Sequence, residues 1–122
     1  MATISTTGNW AEALVYINEV LHFFPNDKSV DREIDSVIDK TDQAKWFCLR
    51  SGCHLNMGRL EEAKEDATIA VNKAPHTTEG YIRRAEAFEA MGDWDRARHD
   101  YALAMKVQPE IQHIVVHLME QL

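Results

Sequence analysis

Histidine and cysteine are the side chains of this sequence with the clearest potential for metal binding or catalysis. His113 and His117 are four residues apart, so on a helix they would lie one turn apart on the same face. Two imidazoles placed in this way can share a metal ion, but zinc-type sites in proteins use three or four ligands. No spaced Cys/His set supplies the others, so we predict no metal site.

The cysteines and carboxylates give no sign of catalysis. Cys48 and Cys53 are five residues apart on one predicted helix, so they point to different sides, and we expect two reduced thiols rather than a disulfide. Carboxylates cluster at positions 61–66 as a solvated helix face. The sequence has no Gly-rich phosphate loop and no nucleophile elbow. We predict no catalytic residues, no cofactor and a protein that is not an enzyme.

The charge and hydropathy of the chain narrow the class of partner. The formal net charge of the 122 residues is −7, and no run of Lys/Arg is available to neutralise phosphates, so we expect no nucleic-acid binding. No apolar run approaches the roughly 18 residues needed to cross a bilayer. The N-terminus lacks the basic and apolar regions of a signal peptide. We therefore expect a cytoplasmic protein without a membrane partner.

A repeat of 34 residues between Ala44 and Pro109 organises the elements that would position any binding residue. The matched pairs are Phe47/Tyr81, Arg50/Arg84, His54/Phe88, Gly58/Gly92, Leu60/Trp94, Ala63/Ala97, Asp66/Asp100, Ala70/Ala104 and Pro75/Pro109. A period of this length is typical of a solenoid built from helix–turn–helix units.

The repeated residue types have physical reasons. Gly58 and Gly92 suit the left-handed turn that ends a first helix. The repeated alanines allow two helices to cross closely, and the prolines end the second helix. Aromatic side chains are expected to fill the core between layers. These are Phe47, Tyr81, Phe88, Trp94 and Tyr101.

The pattern of glycine, alanine five residues later, alanine seven further on and a closing proline resembles the tetratricopeptide repeat (TPR). The resemblance implies an all-α fold, a right-handed TPR solenoid of antiparallel helix pairs with a C-terminal capping helix. We expect one domain. Its segments are a half repeat at 8–25, an inserted acidic helix or linker at 26–43, repeats at 44–75 and 78–109, and a capping helix at 110–122. Within the repeats we predict the helix pairs Asp42–Met57 with Leu60–Lys73 and Thr77–Met91 with Trp94–Val107.

The N-terminal third leaves alternatives open. The amphipathic segment 29–40 either extends the helix that begins near Asp42 or breaks near Thr41 and folds back. The helix predicted for residues 10–24 copies the second half of a repeat without its partner, so a second copy of the chain, a partner's helix or the next segment would cover its apolar face. We predict a self-association face there, and a possible homodimer. Its residues are Trp10, Leu14, Ile17 and Leu21.

In TPR arrays the first helix of each repeat lines a concave groove that receives a peptide or a helix. Carried over by position, the resemblance implies a groove drawn from both full repeats and the terminal helix. The first repeat contributes Lys45, Cys48, Leu49, Gly52 and Asn56; the second contributes Glu79, Ile82, Arg83, Glu86 and Glu89; the terminal helix contributes His113, Val116 and His117.

One subgroup of this family binds acidic C-terminal tails of heat-shock chaperones through a carboxylate clamp. Arg83 matches the clamp, but Leu49 stands at an asparagine position and Glu79 at a lysine position. Each charge-assisted hydrogen bond contributes about 1.5–3 kcal/mol, and Glu79 would repel an anionic tail. The leading prediction is therefore an adaptor for an amphipathic or mildly basic protein segment. A reader of chaperone tails and a structural dimerisation unit are the alternatives.

Overall fold

The computed structural model describes residues 9–23 and 33–120, and this part of the chain contains six α-helices, one 3₁₀ turn and no strand. The helices are α1 Trp10–Phe23, α2 Glu33–Asn56, α3 Leu60–Lys73, α4 Glu79–Ala90, α5 Trp94–Val107 and α6 Gln112–Glu120, with the 3₁₀ turn at Pro109–Ile111. Each helix packs against the next one along the chain, and α2 also contacts α4.

The two full repeats are the helix pairs α2–α3 and α4–α5. The bounds of α3 and α5 are the predicted ones, whereas α4 begins two residues after the predicted Thr77. Helix α2 continues without a break through Thr41 and Asp42, so from residue 33 onward the inserted segment extends the helix instead of folding back. Residues 24–32, with the predicted end of the first helix and the start of the insertion, lie outside the described residues.

A glycine in the left-handed region ends the first helix of each repeat, as predicted. Gly58 has φ +80° and Gly92 has φ +82°. This geometry lets Arg59 N donate to His54 O at 2.8 Å and Asp93 N to Phe88 O at 2.9 Å. A residue with a Cβ in this conformation costs roughly 1–2 kcal/mol, so the turns require glycine.

The repeated alanines form the crossing faces of the second helices. Ala63, Ala70, Ala97 and Ala104 are essentially inaccessible to solvent, which confirms their predicted place at close crossings. Gly80 gives α4 the same closeness to α3, because a Cβ there would be 3.0 Å from Val71 Cγ2.

A buried ion pair joins the two helices within each repeat. Arg84 Nε and Nη2 donate to the Asp100 carboxylate at 2.9 Å, and Arg50 Nε and Nη2 donate to Asp66 at the same distance. Both carboxylates are buried, so each has its charge balanced within the repeat, and Asp66 does not belong to the solvated face predicted for positions 61–66.

The aromatic side chains follow the predicted core role with one exception. Tyr81 and Tyr101 are buried, while Phe47 and Phe88 pack half-buried against core clusters. Trp94 is 45% exposed, so its predicted place between layers is wrong. It is the first residue of α5, directly after the N-cap Asp93.

The terminal helix α6 covers the apolar face of the second repeat. Val115 is fully buried with Ala85, Ala97 and Tyr101, and Leu118 packs on the same cluster. The helix therefore occupies the position of a cap.

Candidate protein-binding surface

Helices α2 and α4 present neighbouring faces, and these faces carry most of the predicted groove residues. Lys45, Leu49 and Asn56 are exposed on α2, at a spacing that places them on one side of the helix. On α4, Glu79 is exposed, and the side chains of Arg83 and Glu86 are each 32% exposed. We name these six residues the α2–α4 surface.

Arg83 joins the two helices at the centre of this surface. Its guanidinium covers Gly52, since a Cβ on that glycine would be 3.6 Å from Arg83 Cζ. Nη1 donates to Glu86 Oε1 at 3.1 Å. Nε is buried, and no acceptor for it lies in the described part of the chain. Arg83 is thus held by a single ion pair within its own helix, and its charge is only partly compensated.

Three predicted groove residues lie below this surface rather than on it. Cys48 is 2% exposed and packs with Ala44, Ala70 and Ala74, so its assignment to the groove is wrong. Gly52 is buried beneath Arg83. Ile82 is half-buried against two core clusters.

The two cysteines are buried free thiols. Burial, with a smaller contribution from the nearby Glu79 carboxylate, raises the pKa of Cys48 to about 12, and Arg83 opposes this shift. Burial also raises the pKa of Cys53, again opposed by Arg83. The thiolate is the reactive form of cysteine, so both side chains serve packing.

The α2–α4 surface combines one apolar side chain with charges of both signs. Leu49 is 45% exposed. Lys45 and Arg83 are cationic, whereas Glu79 and Glu86 are anionic. Glu89 has a different role, because it accepts a hydrogen bond from Tyr101 at 3.0 Å. The surface therefore offers an apolar contact between balanced charges, with no excess of positive charge.

The residues predicted on the terminal helix occupy a separate depression. His113, Val116 and His117 line a depression of about 650 Å³ together with Pro109, Glu110, Gln112 and Glu120. All of its lining residues belong to the 3₁₀ turn and α6. The structure does not bring them together with the α2–α4 surface.

The predicted self-association face on α1 is covered within the chain. Leu14 and Ile17 are buried with Cys53, and Trp10 and Leu21 pack on the same cluster. Helix α2 provides the cover, so these four residues do not form a free face. The physical reason is that α1 packs on α2 as the second helix of a repeat packs on the next repeat.

A second depression, of about 370 Å³, lies where α3, α4 and α5 meet, and no prediction from the sequence identifies it. Its lining residues are Lys64, Thr68, Arg84, Phe88, Arg96, His99 and Asp100. The signal that could have revealed it is a difference between matched positions, since Arg96 and His99 replace Glu62 and Glu65 of the first repeat. We name it the α3–α5 cleft.

Neither a metal-binding cluster nor a membrane-spanning helix occurs among the described residues. No group of three or more His, Cys, Asp or Glu side chains is arranged to hold a metal ion. None of the helices between residues 9 and 120 combines the length and apolarity of a membrane span.

Comparison with solved structures identifies the fold. The TPR domain of Arabidopsis OM64 superimposes with a TM-score of 0.60, at 20% identity, over 98% of this chain and 90% of that domain. The chain therefore folds as a TPR solenoid, as predicted. No protein-family model matches it.

The sequence is similar to parts of several larger TPR proteins. It is 27% identical over 108 residues to human mitochondrial import receptor subunit TOM34, covering 88% of this chain and 32% of that protein. It is 30% identical over 105 residues to subunit 4 of the bovine outer dynein arm-docking complex, covering 84% of this chain and 13% of that subunit. The Hsp70-Hsp90 organizing protein of Triticum aestivum is 23% identical over 87% of this chain and 16% of that protein. The chain thus spans at most about a third of these relatives.

Proposed function

We propose that this chain is a non-enzymatic adaptor that binds an amphipathic, mildly basic protein segment across the α2–α4 surface. The observation that carries the proposal is the exposure of Leu49 beside Glu79, Arg83 and Glu86. The relatives named as an import receptor subunit, a docking-complex subunit and an organizing protein support a role in protein–protein interaction.

The chemistry of the surface favours such a segment. Full burial of a leucine side chain contributes about 1.5–3 kcal/mol, so covering the part of Leu49 that is still exposed contributes about 1 kcal/mol. Glu79 is exposed and forms no ion pair with another described residue, so it has none to give up. A lysine or arginine of the segment can therefore pair with Glu79 while an apolar side chain contacts Leu49.

The test uses an amidated amphipathic peptide with leucine and lysine on one helical face, titrated into the full chain by calorimetry. We expect saturable binding that weakens about fivefold in Leu49→Ser and severalfold in Glu79→Gln, since a rim charge pair contributes roughly 0.2–1 kcal/mol. Val116→Ser is the matched control, because Val116 is exposed on the separate α6 depression. Equal affinity in Leu49→Ser and the parent chain would refute the proposal.

A reader of acidic chaperone tails is the second candidate, and Arg83 is the observation that favours it. The relative named Hsp70-Hsp90 organizing protein adds support. Against it stand the exposed Glu79 and the contact of Arg83 Nη1 with Glu86 at 3.1 Å. An acidic peptide with a free C-terminal carboxylate tests this candidate. Binding tighter than that of the Leu/Lys peptide, and abolished by Arg83→Ala, would replace the leading proposal.

Dimerisation remains a third proposal, with different residues from those predicted. Val15 and Tyr16 of α1 are 60% and 61% exposed. Light scattering at high protein concentration tests it, and a monomeric mass would exclude it.

A further inference from the structure

The α3–α5 cleft differs from its counterpart in the first repeat at one hydrogen bond. In the first repeat, Arg50 binds Asp66 through Nε and Nη2, and its Nη1 donates to Asn18 Oδ1 of α1 at 2.8 Å. A side chain of the preceding helix thus satisfies the remaining edge of the guanidinium.

In the second repeat no described residue accepts a hydrogen bond from this remaining edge of the guanidinium. Arg84 binds Asp100 in the same way, through Nε and Nη2. The position that matches Asn18 is Thr68, and its hydroxyl donates to Lys64 O at 2.9 Å instead. Within the described residues, Nη1 of Arg84 has no hydrogen-bond acceptor, and Arg84 lines the cleft. An arginine Nη1 carries two N–H donors in a fixed plane.

The charges around the two arginines also differ. The positions around Arg50 hold Leu14, Asn18, Glu62 and Glu65, and the matched positions around Arg84 hold Lys64, Thr68, Arg96 and His99. The α3–α5 cleft therefore has three cations and one carboxylate among its lining residues, in a chain whose formal net charge is −7.

The cations at the rim can exchange their present partners for an incoming anion. Lys64 pairs with the largely exposed Glu61 at 3.2 Å, and Arg96 pairs with Asp93 at 3.5 Å. Exposed pairs of this kind contribute little to stability, so exchanging them for another carboxylate costs little. Arg96 also lies over the Phe88 ring at 5.8 Å, which keeps its guanidinium at the mouth of the cleft.

We propose that the α3–α5 cleft is a second binding site, which takes a side-chain carboxylate from an acidic segment of a partner protein. The carboxylate accepts from Arg84 Nη1 in the place that Asn18 Oδ1 has in the first repeat, and Lys64 and Arg96 pair with it from either side. A neutral acceptor would serve Arg84 alone, whereas the added cations select an anionic oxygen. The site lies on α3, α4 and α5, away from the α2–α4 surface, and extends the proposed function to a second partner segment.

The experiment titrates an oligoglutamate peptide into the ¹⁵N-labelled full chain and follows the NMR chemical shifts of the chain. The peptide is acetylated and amidated, so it has no terminal carboxylate. We expect shifts at Thr68 and His99, and an affinity that falls about two- to fivefold in Lys64→Gln or Arg96→Gln, the usual size for loss of an exposed charge pair. Arg98→Gln is the matched control, because Arg98 is an exposed cation of the same helix that does not line the cleft.

A second variant tests the role of Arg84 without removing a charge. In Thr68→Asn the new amide can accept from Arg84 Nη1, as Asn18 does from Arg50. We expect oligoglutamate binding to weaken about tenfold, the usual size for loss of one charge-assisted hydrogen bond to the largely buried Arg84, with unchanged affinity for the Leu/Lys peptide at the α2–α4 surface. Because the two peptides bind at different surfaces, loss of oligoglutamate binding alone concerns the cleft proposal, and loss of Leu/Lys peptide binding concerns the proposed function.

Three outcomes would overturn the inference. The first is no oligoglutamate binding at low ionic strength. The second is binding that Lys64→Gln, Arg96→Gln and Thr68→Asn leave unchanged, or chemical-shift changes confined to the α2–α4 surface. The third is tighter binding of inorganic phosphate or a phosphoserine peptide at the same residues, which would assign the cleft to phosphate instead of carboxylate.

Discussion

Gly52→Ala and Gly80→Ala test the helix packing, because one substitution made in two helices is expected to change stability in opposite directions. Gly52 lies well inside α2, where alanine is favoured over glycine by about 0.5–1 kcal/mol. The added Cβ would meet only the end of the Arg83 side chain, at 3.6 Å from Cζ, which is an ordinary contact. We expect Gly52→Ala to raise the free energy of unfolding by about 0.5–1 kcal/mol.

Gly80→Ala is expected to lower the free energy of unfolding. A Cβ there would be 3.0 Å from Val71 Cγ2 and 3.1 Å from the Val71 backbone N. The backbone atom cannot rotate away, so α3 and α4 would have to separate by a few tenths of an ångström. Overpacking of this kind costs about 1–3 kcal/mol. Since Gly80 is only the second residue of α4, the helix-propensity gain offsets little of this cost.

Urea unfolding followed by far-UV circular dichroism measures both effects, provided that the transition is two-state. Ala102→Gly, on an exposed position of α5, calibrates the alanine–glycine difference in this array. The packing argument is refuted if Gly80→Ala is as stable as the parent chain. A destabilised Gly52→Ala would show that Arg83 Cζ lies closer than 3.6 Å to a Cβ at position 52.

Three further predictions concern buried side chains. Asp66→Asn should lower the free energy of unfolding by about 3 kcal/mol, because it leaves the half-buried Arg50 without its anion; an effect under 1 kcal/mol in urea unfolding would contradict this. Burial lowers the pKa of His54, so the folded state holds fewer protons than the unfolded one, and stability falls as pH drops through the ordinary value of about 6.5. His54→Phe should flatten this dependence of the urea midpoint on pH, and an unchanged slope would assign it to other groups. Cys48, with its pKa raised to about 12, should be alkylated by iodoacetamide only at the rate of unfolding, and rapid labelling seen by mass spectrometry in the native state would show that it is accessible.

The local features of the fold could be predicted from the sequence because they depend on residues close together in the chain. The left-handed glycines fixed the ends of two helices, and the alanine spacing fixed which faces cross. The predicted bounds of α3 and α5 match those of the structure for this reason. The periodicity does not show that Trp94 is 45% exposed, because it records the spacing of apolar residues and not the neighbours that each of them meets.

The candidate site was less predictable because it depends on which side each helix presents. Cys48 and Leu49 are adjacent in the chain, yet Cys48 is buried and Leu49 is exposed. Matching positions to the TPR pattern assigns both residues to the groove and does not distinguish them. The position of Arg83 over Gly52 depends on a side-chain conformation across two helices. The inserted residues interrupt the period, so the sequence alone did not show that α2 covers Leu14 and Ile17.

The succession of contacts from each helix to its neighbour has a consequence for how the chain acquires its structure. Proteins dominated by contacts between segments close in sequence fold in microseconds to milliseconds, since little loop entropy is lost before each contact forms. In this array any helix pair can form first and template the adjoining one. Damage at one end should then loosen the contacts of that end before the loss reaches the far repeat.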